Sequence, residues 1–211
     1  MLLALEGIAG AGKSTLRDRL LADAHSARIA LGHIGQFSWL SLKATRTLIG
    51  LRAGHPAATS DHALAAAYRD LELHARHNLI SALAQGPLVA DRLTLSTACL
   101  LALLHHRPIE HYVRPLAEVR AARADLTVLV TTAPDLCQAR LARRPTTRRF
   151  AEEPATAVRL ADLYEQAATT WTAITGLPVL RHPCTTETDL DLLTAACLAR
   201  LREANQPAVR I

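Results

Sequence analysis

The sequence predicts an α/β fold: one domain over residues 1–211, with a five-stranded parallel sheet and helices on both faces. Short apolar runs alternate with longer helical patterns along the whole chain. Strands that alternate with helices form parallel sheets, because each helix returns the chain to the edge where the next strand starts. Half of the 211 residues are hydrophobic, which is enough to fill a sizeable core.

Five apolar runs have the length and bounds of buried strands. In chain order they are LLALE (2–6), RIALGHI (28–34), PLVADR (87–92), DLTVLVTTA (125–133) and LPVLRH (177–182). The fourth run has the clearest strand pattern. The sequence between the second and third runs begins with a mixed stretch rich in Gly, Ser and His, for which no element is predicted.

Seven stretches have the periodicity of amphipathic or buried helices. They are residues 13–24, 63–86, 95–106, 112–123, 135–144, 157–176 and 186–204. Gly86 is expected to end the long second helix, and Pro115 lies inside the fourth. Tyr164 and Trp171 fall on the apolar pattern of the sixth helix, so we expect both in the core.

Composition narrows the class of protein further. No run reaches the roughly 20 apolar residues of a membrane span, and MLLAL is too short for a signal peptide, so we expect a cytoplasmic protein without a membrane partner. The four cysteines are far apart and are expected to be buried thiols. His105, His106 and His111 lack suitably spaced Cys or acidic partners and have Arg107 among them, so zinc is not expected there.

The stretch between the first strand and first helix carries the strongest motif. Gly7, Gly12, Lys13 and Ser14 fit G-x-x-x-x-G-K-[ST], in which backbone N–H groups surround phosphate oxygens. Lys13 would reach the β- and γ-phosphates of ATP, and the Ser14 hydroxyl would bind Mg²⁺. The alternative is a glycine-rich turn that only begins a helix. The predicted ATP-binding residues of this loop are Gly7, Ala9, Gly10, Ala11, Gly12, Lys13, Ser14 and Thr15.

Together with Glu6, this motif gives EGIAGAGKST, which resembles the opening of thymidylate kinases and their deoxynucleoside-kinase relatives. Four further stretches follow in that family's order, so the resemblance implies a P-loop NTPase fold. LVADRLTLS is similar to the family's strand followed by Asp-Arg. The resemblance implies that Arg92 holds the acceptor phosphate or the transferring phosphoryl group, and that Asp91 lies near the magnesium.

RLARRPTTRR, from Arg140 to Arg149, carries five arginines and no acidic residue. With its flanking sequence it is similar to the family's arginine-rich lid, here at about residues 143–153, and this favours a polyphosphate ligand over nucleic acid. The resemblance makes Arg149 the catalytic lid arginine and gives Arg140 and Arg144 to ATP, with Arg143 and Arg148 in support. Some of the five are alternatively solvated helix charges. Residues 183–186 would face adenine through their backbone.

The acceptor half departs from the family. GHIGQFSWLSLKATRT stands in place of an Arg-Glu-Pro-Gly run, and Leu100 and Leu101 replace a tyrosine and an amide residue that contact thymine. Alanines occupy the position of a stacking phenylalanine. The candidate acceptor-binding residues are His33, Phe37, Trp39, Arg69 and Arg92. Arg69 is alternatively a surface residue. His33 is either a general base or a structural or exposed histidine, and Asp91 is the other candidate base.

These residues predict an Mg²⁺-ATP-dependent phosphotransferase whose acceptor is a nucleoside monophosphate, with thymidylate the first candidate. The predicted catalytic residues are Lys13, Asp91, Arg92 and Arg149, and the predicted metal-binding residues are Ser14 and Asp91. A kinase of the same fold that acts on the hydroxyl of a nucleoside or other small molecule is the first alternative. A non-catalytic nucleotide-binding module is the second. The resemblance also allows a homodimer, although no apolar stripe identifies its interface.

Overall fold

The computed structural model describes residues 1–35, 40, 42–55, 59–145 and 149–205. Within these ranges five strands form one sheet, and each strand runs parallel to its neighbours. They are β1 (Leu2–Glu6), β2 (Gly32–Ile34), β3 (Leu88–Asp91), β4 (Leu126–Val130) and β5 (Val179–His182), in the order β2-β3-β1-β4-β5. The predicted α/β class and five-stranded parallel sheet are therefore confirmed.

The centre of the sheet is its most buried part. Every residue of β1 and β4 is buried, whereas the edge strands β2 and β5 are partly exposed. Continuous apolar runs such as LLALE are typical of parallel strands covered on both faces. Leu5 of β1 lies opposite Asp91 of β3. The segments that follow β1 and β3 therefore leave the sheet side by side at its carboxyl edge.

Helices occupy most of the remaining described sequence. They are α1 (Lys13–Ser26), α2 (Leu42–Arg52), α3 (Ser60–His74), α4 (Ile80–Gln85), α5 (Thr94–His105), α6 (Glu110–Leu116), α7 (Pro134–Ala142), α8 (Pro154–Thr175) and α9 (Glu187–Asn205). Helices α1 and α9 pack on each other, while α5, α6 and α8 form a second packed group against which α3 also lies. Helix α2 packs on α3 and α5.

Helix α2 was not predicted. Its buried residues Ala44, Leu48 and Leu51 recur at helical spacing, but glycine-, serine- and histidine-rich sequence surrounds them and hides the pattern. The predicted strand 28–34 was too long, since only Gly32–Ile34 pairs with β3. The chain turns before it, with Arg28 in a left-handed conformation at φ 57°.

The predicted helix 63–86 begins earlier, at Ser60, and contains one π-helical turn at Ala75–Leu79 before it continues as α4 to Gly86. The predicted helix 112–123 was wrong in its second half: α6 ends at Leu116, and only a 3-10 turn forms at Arg120–Ala122. All four cysteines are buried and unpaired, as expected. Within the described ranges, no helix has the length and apolar character needed to cross a membrane.

Candidate active site

The loop between β1 and α1 is built from backbone that only glycine tolerates. Gly7 and Gly10 have φ values of 132° and 83°. A Cβ on either glycine would lie 2.6 Å from a carbonyl oxygen, of Val130 and Cys137 respectively. Since real Cβ atoms do not approach this closely, the glycines let the loop curl directly against β4 and α7.

Lys13 begins α1 and is buried behind this loop. Its Nζ donates to the carbonyl oxygens of Gly7 (2.9 Å) and Ile8 (2.7 Å). Burial, followed by the positive charge of Arg92, lowers the pKa of Lys13 well below its ordinary value. The ammonium group is thus held by neutral carbonyls at a helix N-terminus, where an anion would be a stronger partner.

The glycine loop opens onto a cavity of about 530 Å³, called here the large cavity. Six residues of the loop and of the first turn of α1 line it: Ala9, Gly10, Gly12, Lys13, Ser14 and Thr15. The carbonyls of Gly7 and Ala11 are engaged within the protein. They accept hydrogen bonds from Lys13 Nζ and Thr132 Oγ1 respectively. Most of the predicted ATP-binding residues of the loop therefore lie around one cavity.

Arg92 follows β3 in a left-handed conformation, with φ 72°. Its Nη1 donates to Gly7 O (2.9 Å), Tyr164 Oη (2.9 Å) and Ser96 Oγ (3.2 Å). Among the described residues, all hydrogen bonds of its guanidinium come from Nη1. The guanidinium is therefore anchored by one nitrogen, and it lines the large cavity.

Glu6 and Tyr164 complete the network that holds Arg92. Fully buried Glu6 accepts from the backbone N–H groups of Leu93 (2.9 Å) and Leu95 (3.1 Å), and from the Ser96 hydroxyl. Burial raises the pKa of Glu6, while the Ser96 hydrogen bond and Arg92 oppose the rise. Tyr164 is buried as predicted. Its hydroxyl also belongs to the site, and the apolar periodicity of the helix gave no indication of this.

Asp91 and Ser14, the two predicted metal-binding residues, line the same cavity. A hydroxyl and a carboxylate oxygen are suitable ligands for Mg²⁺, which commonly takes one or two protein oxygens and completes its shell with phosphates and water. The Asp91 carboxylate accepts a hydrogen bond from Arg17 Nη1 at 2.9 Å. Arg17 was not singled out from the sequence, and in this structure it fixes the position of Asp91.

Three arginines of the 140–149 cluster also line the large cavity: Arg140, Arg144 and Arg149. Arg140 donates to the carbonyls of Gly10 (3.3 Å) and Cys184 (2.8 Å), so it joins the glycine loop to residues 183–186 after β5. Arg143 and Arg144 are exposed, and Arg148 lies outside the described residues.

The backbone of residues 184–186, predicted to face adenine, is engaged within the protein. The N–H groups of Thr185 and Thr186 both donate to Asp189 Oδ2 at 2.9 Å. The carbonyls of Cys184 and Thr185 accept from Arg140 Nη2 at 2.8 and 3.3 Å. The hydrogen bonds from Thr185 and Thr186 lower the pKa of Asp189, so this carboxylate stays ionised. The loop lines the large cavity with its polar backbone already partnered.

A second cavity of about 110 Å³, called here the arginine cavity, adjoins the first. Arg92 and Arg149 line both, and Arg52, from the end of α2, lines the second only. Burial, followed by the charges of Arg92 and Arg149, lowers the pKa of Arg52 to about 10. Arg52 was not predicted because α2 was not predicted. The sequence offered one indication, an arginine that directly follows the apolar residue Leu51.

Two other predicted acceptor-binding residues, Arg69 and His33, line neither cavity. Arg69 is about half exposed on α3 and pairs with Glu72, so the structure does not bring it to either cavity. His33 is exposed on the edge strand β2. Burial and the nearby charge of Arg17 lower its pKa, against the opposing effect of Asp91 and Asp18. Phe37 and Trp39 lie outside the described residues.

No family model matches the chain, and no curated protein matches it either. The functional interpretation therefore depends on the residues of the site. The structure brings together Lys13, Ser14, Asp91, Arg92 and Arg149, the predicted catalytic and metal-binding residues, around the large cavity.

Proposed function

We propose that this protein is an ATP-dependent phosphotransferase with a P-loop NTPase fold, and that its acceptor is a nucleoside monophosphate. One observation carries the proposal: Arg52, Arg92 and Arg149 line a cavity that adjoins the large cavity, which Lys13 lines. Lysine and a helix N-terminus suit the phosphates of a donor nucleotide, and clustered guanidiniums suit a second phosphate. Two adjoining phosphate sites are what transfer between nucleotides requires.

In the donor half, the triphosphate of ATP would occupy the large cavity against the glycine loop. Lys13 Nζ would exchange the carbonyls of Gly7 and Ile8 for β- and γ-phosphate oxygens, a stronger charge-assisted interaction. Ser14 and Asp91 would hold Mg²⁺, which neutralises phosphate charge when bound. The bond between Asp91 and Arg17 keeps the carboxylate at the edge of the cavity.

Transfer would take place where the two cavities meet. An oxygen of the acceptor phosphate attacks the γ-phosphorus, the bond from that phosphorus to the β–γ bridging oxygen breaks, and ADP leaves. Arg92 and Arg149 line both cavities, so their charges are placed to stabilise the phosphoryl group as it passes between the two nucleotides.

The positions of the candidate bases favour a phosphorylated acceptor. A hydroxyl acceptor benefits from a general base, whereas a phosphate oxygen is already anionic. His33 is exposed on β2 and lines neither of the two cavities, and Asp91 is paired with Arg17 at the large cavity. Neither group lines the arginine cavity, where the acceptor would bind.

The test is release of ADP from Mg²⁺-ATP by the purified protein, with nucleoside monophosphates, nucleosides and hydroxylated metabolites as acceptors. The proposal expects fast release with at least one nucleoside monophosphate, and thymidylate is the member that the family resemblance names first. Fast release with an unphosphorylated acceptor alone would instead support the hydroxyl kinase. ATP binding without release in the presence of any acceptor would support the non-catalytic module.

A further inference from the structure

A third cavity continues from the arginine cavity between α2, α3 and α5. It measures about 50 Å³ and is called here the inner cavity. Arg52, Ser96 and Leu100 line both cavities, so a ligand whose phosphate meets the arginines would direct its other end inward. The remaining wall is largely aliphatic, from residues of the three helices: Leu48, Leu51, Ala67, Leu71 and Leu101.

One carboxylate lies in this aliphatic wall. Asp70, in α3, lines the inner cavity, and the residue is only 4% exposed. Its Oδ1 accepts from the backbone N–H of Leu40 at 3.0 Å, and its Oδ2 lies 3.7 Å from Nε2 of buried His74. These contacts fix the carboxylate in place. The carboxylate also attracts the Arg52 guanidinium, because its charge opposes the fall in the pKa of Arg52. Its oxygens accept hydrogen bonds and cannot donate them.

The charges around the inner cavity restrict which ligand group fits. A carboxylate accepts hydrogen bonds and repels carbonyl oxygens, so burying a carbonyl against Asp70 would leave both groups unsatisfied. Arg52 lines the same cavity and would repel an ammonium group. An uncharged N–H or O–H donor without a carbonyl beside it satisfies both conditions, which excludes the ring N–H of thymine and uracil because carbonyls flank it. The small volume admits a group of a few atoms, since a cavity needs roughly 10–15 Å³ to hold one water molecule.

We propose that Asp70 selects the acceptor: a nucleoside monophosphate whose base presents an exocyclic amino group to the inner cavity, and not the carbonyl edge of thymine or uracil. The inference rests on the proposed function and narrows it. The acceptor class stays the same, while the preferred member moves from thymidylate to an amino-bearing base such as cytosine or adenine.

Two matched pairs of acceptors test this inference on the unaltered protein. Deoxycytidylate has an amino group at position 4 of the pyrimidine, where deoxyuridylate has a carbonyl and a proton on the adjacent ring nitrogen. Adenylate and inosinate differ in the same way at position 6 of the purine. We expect kcat/KM for the amino member of the better-used pair to exceed that of its partner by about 10- to 100-fold, the range for one hydrogen bond to a charged group. Equal values, or a preference for the carbonyl member or for thymidylate, would overturn the inference.

Asp70→Asn then assigns the preference to its residue. Asparagine keeps the shape and offers the ligand an amide that can donate as well as accept, so the amino-to-carbonyl ratio should fall by about tenfold or more. Asp61→Asn is the matched control, because Asp61 is an exposed residue of the same helix that faces His111. An unchanged ratio in a folded Asp70→Asn protein would remove Asp70 from recognition. Circular dichroism and the wild-type ratio keep the inference testable if that variant does not fold.

The two proposals fail in different ways. If no nucleoside monophosphate stimulates ADP release, the proposed function is overturned, and the inference falls with it. If nucleoside monophosphates do stimulate release but carbonyl-bearing members are used as well as or better than amino-bearing members, the proposed function stands and only the assignment to Asp70 is lost.

Discussion

The proposed donor half and the proposed acceptor half of the site are built in different ways. On one side of the large cavity, one contiguous segment supplies the loop, the lysine and the hydroxyl, and the contacts that shape this segment are largely to backbone atoms, as in the two bonds of Lys13 Nζ to Gly7 and Ile8. The arginine and inner cavities are lined mainly by residues from α2, α3, α5 and α8, from the segment after β3 and from residues 149–152, together with Ile8 and Ala9 of the loop. A short motif can encode the first arrangement. The second exists only once distant helices have packed.

The largest expected effect comes from a substitution in the donor half. Lys13→Ala should lower kcat by at least about 10³-fold, because it removes a preorganised charge from the transferring phosphates. Turnover is measured as ADP release, and circular dichroism checks that the fold persists. Arg200→Ala, which removes an exposed cation paired with Glu203 on α9, is the control. Normal turnover by Lys13→Ala would exclude the proposed phosphotransferase.

The lid arginine comes next and tests the boundary between the halves. Arg149→Ala should lower kcat by about 10²-fold while the affinity for ATP changes little, because this charge would act on the phosphoryl group in transit. Steady-state kinetics with a binding titration of ATP separates the two quantities. If kcat stayed the same and only ATP affinity fell, Arg149 would belong to the donor half alone.

A change in α2 should affect the acceptor half and leave the donor half intact. Arg52→Gln should raise the KM of the acceptor by about 10- to 100-fold, the value of one charge-assisted hydrogen bond to phosphate, without changing the affinity for ATP. Arg46→Gln is the matched control, since Arg46 is exposed on the same helix. Equal KM values for the two variants would show that Arg52 does not meet the acceptor.

The hydrogen-bond network behind Arg92 predicts a smaller effect. Tyr164→Phe removes one bond to Arg92 Nη1 and one to Ser96 Oγ, and should lower kcat about 2- to 10-fold through looser positioning of the guanidinium. Tyr112→Phe is the control, because this second buried tyrosine bonds to Ser60 instead. If both variants lost stability to the same degree but only Tyr164→Phe lost kcat, a positioning role would be established; equal kcat values would refute it.

This contrast also explains how far the sequence could be interpreted. The strands and the glycine loop were predicted because apolar runs and fixed local spacings determine them, whereas the Asp91-Arg92 pair was singled out through its resemblance to a family motif. Arg52 and Asp70 were not, since nothing local relates an arginine at the end of α2 to an aspartate in α3. The π-helical turn at Ala75–Leu79 made this harder, because one extra residue within a turn shifts the helical register on which spacing arguments depend.

The smallest expected effect concerns the base of the donor. Cys184, Thr185 and Thr186 line the large cavity, but the N–H groups of Thr185 and Thr186 already bond to Asp189, and the carbonyls of Cys184 and Thr185 already bond to Arg140. A site that reads a base mainly by shape discriminates weakly, whereas one with unpaired polar groups rejects the wrong base strongly. We therefore expect kcat/KM for ATP and GTP to agree within about tenfold.

Two aspartates of α9 provide the test of that expectation. Asp189→Ala frees the N–H groups of Thr185 and Thr186 and should change the ratio of ATP to GTP use. Asp191→Ala, which removes only a partner of Arg19, should leave the ratio as it is. A strong preference for ATP in the unaltered protein would mean that the donor base is read by groups other than this backbone. The donor half would then resemble the acceptor half in depending on side chains brought together by the fold.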